Sequence, residues 1–164
     1  MMKTIRLRNN GMPKEAMSFK NIDYQEVYDN DNWLESEAYE IFTNRFLFVI
    51  FKPKPGETIV VHNNKTKKDV TEQSYILDRV FFWTMSPDDL DSARKYWEHI
   101  RENVLANKIQ LCNFWSISDN KKFHVRPKAI KKIQLTPNPH GGEAEKYSYW
   151  LNADFVKKII DENS

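Results

Sequence analysis

Arg45-Phe46-Leu47-Phe48-Val49-Ile50-Phe51-Lys52 sets six consecutive apolar residues between two cations, and Pro53, Pro55 and Gly56 follow at once. The run is short for a helix, is dominated by aromatic and aliphatic side chains, and ends in breakers, so it predicts a central strand covered on both faces. Upstream, Thr4-Ile5-Arg6-Leu7-Arg8 alternates polar and apolar residues and meets the turn signal Asn9-Asn10-Gly11, which predicts a half-buried strand over Lys3 to Arg8. Downstream, Thr58 to Val61 and Tyr75 to Met85 predict two further strands, parted by a polar Asn/Lys/Thr stretch.

Helices surround these strands. Ser86-Pro87-Asp88-Asp89 combines an N-cap serine, proline in the first turn and acids facing the helix dipole. Leu90, Ala93, Trp97, Ile100 and Val104 then form one apolar stripe, the pattern of a helix packed on a sheet. Trp33 to Thr43 predicts a short amphipathic helix, and Asn152 a cap for a last helix carrying Phe155, Val156, Ile159 and Ile160. After Asn107 the chain is expected to turn through Phe114 to Ser118. Thr136 to Gly142 reads as a breaker-rich loop and Tyr147 to Leu151 as a short strand. The expectation is an α/β fold of the α+β kind, a central mixed β-sheet flanked by helices, in a single domain over residues 1–164.

With 164 residues the chain is long enough to bury roughly 70% of its unfolded surface. It has no apolar run long enough to span a bilayer and no secretory h-region. Its single cysteine, Cys112, excludes a disulfide framework and a cysteine zinc site, pointing to a reducing cytoplasm and a core role for that thiol. Net charge is only +2, but its distribution is uneven. Asp23 to Glu40 holds seven acids and no base, whereas Lys121 to Lys132 holds six bases and no acid, so one face is expected to be basic.

Phosphate loops, nucleophile elbows and zincin helices are missing from the sequence. His62, His99, His124 and His140 lack metal-ligand spacing and read as structural or solvated, and Glu35, Glu37 and Glu40 as a solvated acidic face. The basic segment fits contact with a nucleic-acid duplex. Lysine and arginine neutralise phosphates and can donate to guanine O6 and N7. Pro127 stiffens the backbone between Arg126 and Lys128, Gly141-Gly142 permits close backbone approach, and Trp150 offers an apolar plane. A solvated basic hairpin with a tight turn is the other reading of the same residues.

Four stretches in order resemble the MutH/Sau3AI family of GATC-specific DNA endonucleases. Met1-Met2-Lys3-Thr4-Ile5 looks like its catalytic Glu-Leu-Lys-Thr strand, with Met1 at the glutamate position. Arg79-Val80-Phe81-Phe82-Trp83, leading into Ser86-Pro87 and a helix with Tyr96-Trp97-Glu98, is similar to a family strand and its following helix. His124-Val125-Arg126-Pro127-Lys128-Ala129 resembles the Arg-Pro-Lys motif that touches DNA, and Tyr149-Trp150-Leu151-Asn152 the aromatic strand before the last helix.

The resemblance implies a restriction-endonuclease-like fold, incomplete at the amino terminus, that recognises double-stranded GATC from the major groove as part of a type II restriction enzyme. Arg126 and Lys128 would meet base edges beside Trp150, Lys121, Lys122, Lys131 and Lys132 would meet phosphates, and Lys3 would match the lysine near the attacking water. The family cuts with magnesium held by an aspartate and a glutamate. Neither carboxylate has a counterpart here, so no metal site is expected and the chain is expected to bind DNA without cutting it. Substitute ligands such as Asp23 or Glu26 would be needed for cleavage. A part of a longer nuclease, a non-catalytic effector domain associating with a catalytic domain or a second copy, and a basic protein-interaction domain remain as alternatives.

Overall fold

In the computed structural model, which describes residues 1–114, 122–129 and 131–163, the apolar run at Phe46 opens β3 (Phe46–Asn63) at the centre of a three-stranded mixed sheet. On one side β1 (Met2–Arg6) runs parallel to it; on the other β4 (Lys68–Trp83) runs antiparallel. The parallel pair needs a crossover. The chain makes it through β2 (Met17–Asn21), α1 (Tyr24–Asp29), a 3-10 turn (Trp33–Glu35) and α2 (Glu37–Thr43).

Strand β3 is covered on one face only. Phe46, Phe48 and Ile50 are buried, while Leu47, Val49 and Phe51 point to the other side with Met2 from β1 and Leu77, Val80 and Phe82 from β4. Those last four are 51–66% exposed, so the expected coverage of both faces is corrected to an alternation with an open apolar outer face. The proline-rich stretch does not end the strand either. Pairing breaks between Pro53 and Thr58, where proline has no N–H to donate, then resumes as Thr58–Asn63 pairs with Lys68–Gln73. Thr58 to Val61 is thus the far half of β3, in a ribbon whose residues 54–72 are all exposed.

The capping prediction for α3 (Pro87–Leu105) holds: Ser86 Oγ accepts from Asp89 N, and Ala93, Trp97, Ile100 and Val104 are buried together with Tyr96. The helix expected over Trp33 to Thr43 is split instead. Ser36 adopts extended backbone and its side chain accepts from Tyr39 N, so it ends the 3-10 turn and begins α2.

After α3, Asn107 turns the chain with φ +55° into a second 3-10 turn (Ile109–Phe114), and buried Cys112 packs there as expected. The later part of the expected turn, residues 115–118, and Lys121 lie outside the described residues. A second, antiparallel sheet is ordered β2-β8-β5, with β8 (Ser148–Leu151) fully buried between β2 and β5 (Phe123–Arg126). The loop expected over Thr136 to Gly142 is the tip of a hairpin, β6 (Leu135–Pro137) with β7 (Glu143–Glu145). Helix α4 (Ala153–Glu162) closes the chain.

Core aromatics tie both sheets to α3. Phe42, Tyr96, Phe123 and Tyr149 pack with ring centroids 5.2–6.5 Å apart, while Phe155 of α4 meets Phe123 and Trp83 at 6.2 Å. Such pairs add to the transfer free energy of each buried ring. That packing fixes β8 and β5, and with them the site.

Candidate nucleic-acid interface

Register across the second sheet decides which side chains meet. Trp150 of β8 lies opposite Ser18 of β2 on one side and His124 of β5 on the other, and Arg126 lies opposite Ser148. His124 and Arg126 are two residues apart on one strand, so both leave the same face. The Arg126 guanidinium sits 4.0 Å from the Trp150 ring centroid, and the indole N–H donates to the Arg126 carbonyl at 3.0 Å. Trp150 therefore holds both the backbone and the head group of Arg126. With 9% of its surface exposed it supports that cation and offers little free plane of its own.

Lys3 reaches the same region from β1. Its ammonium donates to the Ser18 carbonyl and lies 4.6 Å from the Phe19 ring. Burial, and then the positive charge of Lys128, pull the Lys3 pKa below the usual lysine range. Lys3 and Lys128 are 125 positions apart in the chain, yet they feel each other's charge. The groove beside Lys3, about 400 Å³, is also lined by Arg6, Lys14, Glu15 and Ser18. Pro127 is half-buried and Lys128 exposed at the end of β5.

The other expected contacts divide. Lys131 and Lys132 are exposed, and among the described residues neither makes an ion pair, so both are free to meet anions. Lys122 differs: its ammonium is 2.8 Å from Asp89 and 5.7 Å from the Phe155 ring, an internal tie between the start of β5 and the first turn of α3. Gly141 and Gly142, at φ +105° and +70°, turn the β6–β7 hairpin with open space where a side chain would be. That tip is docked on the far end of α3, where His140 Nε2 donates to the Val104 carbonyl at 2.8 Å and Asn138 Nδ2 to Asn107 Oδ1 at 3.1 Å. Those glycines serve the turn.

Asn152 precedes α4 as expected, but its side chain makes no cap hydrogen bond. Its Oδ1 instead accepts from His124 Nδ1, and the His124 ring stacks at 5.7 Å and 16° on Trp150. The Tyr96 hydroxyl donates to the His124 carbonyl, so α3 steadies the same strand. Ser18, His124 and Asn152 were thus missed as site residues. His124 stood inside the basic motif, but only the strand register gives it a purpose.

A divalent cation does not fit these residues. Among the described residues no three His, Cys, Asp or Glu side chains gather, and the charged neighbour that shifts Lys3 is a lysine. Asp23 Oδ1 accepts from Gln25 N and Glu26 N, and Glu26 Oε1 from Glu37 N and Asn30 Nδ2. Neither is placed as a substitute ligand.

No protein-family model matches the chain. Over 203 aligned positions it is 22% identical to the type II restriction enzyme Sau3AI of Staphylococcus aureus. It is a distant relative of a restriction enzyme. The alignment takes in 99% of this chain and 38% of that enzyme, so the chain spans well under half the length of its relative. No helix among the described residues is long and apolar enough to cross a membrane.

Proposed function

We propose that this chain is a double-stranded DNA recognition unit of restriction-endonuclease-like fold, that it reads GATC from the major groove, and that it binds without cutting. One observation carries the reading. Arg126, pinned on Trp150, lies on a face that also gathers Lys128 and Lys3, and among the described residues none of the three is neutralised by an ion pair. A preorganised arginine loses less side-chain freedom on docking against guanine O6 and N7, which favours base reading over loose attraction to phosphate. Lys131 and Lys132 flank this centre and would supply phosphate contacts. The distant restriction-enzyme relative supports DNA as the partner.

Fluorescence anisotropy at ~150 mM salt tests it, with calcium in place of magnesium, a GATC duplex and a base-permuted duplex of equal composition. At least tenfold preference for GATC is expected. Lys128→Ala should lower the specific affinity by about 1–3 kcal/mol and flatten the preference, and Lys132→Ala should weaken both duplexes alike. Equal binding of both duplexes by the unmodified chain overturns base reading. Nicking of a GATC plasmid in magnesium at a saturating protein concentration overturns binding without cutting.

A further inference from the structure

Hydrogen-bond donors crowd the site. Lysine and arginine head groups donate and never accept, so Lys3, Arg126 and Lys128 match guanine and phosphate but leave the exocyclic amino groups of adenine and cytosine unmet. His124 has the opposite polarity. A carbonyl oxygen only accepts, so the bond to Asn152 Oδ1 places the ring proton on His124 Nδ1 and leaves the Nε2 lone pair free.

That arrangement takes the Asn152 side chain away from its helix, although its carbonyl still accepts from Val156 N. Asparagine is among the better N-caps, and Asn152 occupies the cap position of α4 at 2% exposure, yet its amide oxygen serves His124 rather than an α4 N–H. The Trp150 stack sets the ring plane and the Tyr96 hydroxyl holds the backbone. His124 Nε2 itself makes no hydrogen bond among the described residues. The His124 residue is half-buried rather than enclosed in the core. Burial of the ring, with a smaller push from Arg126, holds the His124 pKa below the usual histidine value, so the ring is neutral near pH 7.

We infer that His124 is a base-reading residue whose Nε2 accepts a hydrogen bond from an exocyclic amino group, adenine N6 or cytosine N4, in the major groove of a bound duplex. The inference rests on the DNA-binding reading above. It adds the polarity that reading lacks, because the amino groups of adenine and cytosine are met by acceptors and GATC contains both bases.

The test uses the full chain and four duplexes: GATC, its base-permuted control, GATC with purine in place of adenine, and GATC with 2-pyrimidinone in place of cytosine. The unmodified protein should lose about tenfold in affinity on one of the two amine-deleted duplexes, which also tells adenine from cytosine. His124→Phe, which keeps an aromatic ring against Trp150, should bind that duplex and its parent equally. His124→Gln, with an amide oxygen, should recover part of the penalty. An equal penalty in the unmodified protein and in His124→Phe overturns the inference, as does no penalty while GATC is still preferred over the control. If GATC is not preferred over the control, the reading under Proposed function falls and the inference with it. Should the variants not fold, imidazole nitrogen shifts of the unmodified protein decide. A proton on Nδ1 alone near pH 7 supports the assignment, and a proton on Nε2 overturns it.

Discussion

Two lysines of one basic segment have different fates, and the difference is a single carboxylate. Lys122 has Asp89 at 2.8 Å, with side-chain exposures of 28% and 16%, whereas Lys132 is exposed without such a partner among the described residues. Removing one member of a half-buried charged pair leaves the other unsatisfied. Lys122→Ala is therefore expected to lower the unfolding free energy by about 1–3 kcal/mol in urea titration. It should change DNA affinity less than Lys132→Ala does; the reverse order would return Lys122 to the interface. Trp150→Phe isolates the indole N–H. The ring over which Arg126 lies is kept in part, the 3.0 Å bond to the Arg126 carbonyl is lost, and the GATC preference should fall while binding to the permuted duplex is unchanged. At this scale the sequence named Arg126, Lys128 and Trp150. It could not say that Trp150 serves Arg126, because that depends on the β5–β8 register.

Caps and breakers act at the scale of the element. Ser86 is an N-cap by pattern and by contact, so Ser86→Ala should cost about 1 kcal/mol by chemical denaturation. The Pro53–Gly56 stretch shows the limit of breaker logic. Missing N–H groups interrupt the β3–β4 ladder but cannot stop two strands whose flanks pair on both sides. Since residues 54–72 are all exposed, replacing Thr58–Gln73 with a tight turn should leave the melting temperature within a few degrees, and a larger loss would mean that the ribbon packs on the body. Next to the bulge in this hairpin, Asp78 accepts from Lys52 and Arg79, which hold its carboxyl below the ordinary aspartate range. A depressed folded-state pKa stabilises above the unfolded value and ceases to do so as pH falls through the folded one. The stability gap between the unmodified protein and Asp78→Asn, read from urea midpoints, should thus be full at neutral pH and close on acidification below the carboxylate range.

Over the whole molecule, charge and apolar surface are segregated. Acids gather on α1 and α2, where Lys20 answers Glu37 at 2.6 Å, and cations without an ion pair among the described residues gather around the end of β5. With Lys131 and Lys132 as the phosphate contacts, log affinity against log salt should have a slope of roughly −2, and a slope near zero would exclude phosphate contact by these lysines. The apolar outer face of the first sheet follows from β1 and β4 both alternating in phase with β3, so that Met2, Val80 and Phe82 emerge on one side.

Local pattern determined several elements of this protein: the alternation of β1, the capped α3, the short β8 and the helix after Asn152. These depend on neighbours within a few residues, which spacing and propensity register directly. Tertiary structure alone decided that the charge of Lys128 reaches Lys3, that Asp89 claims Lys122, that the Asn152 side chain turns from its helix to hold His124, and that the β3 sheet is open on one face. Each of these joins or parts segments distant in the chain, and a contact between distant segments is set by strand register and packing rather than by any residue's own propensity.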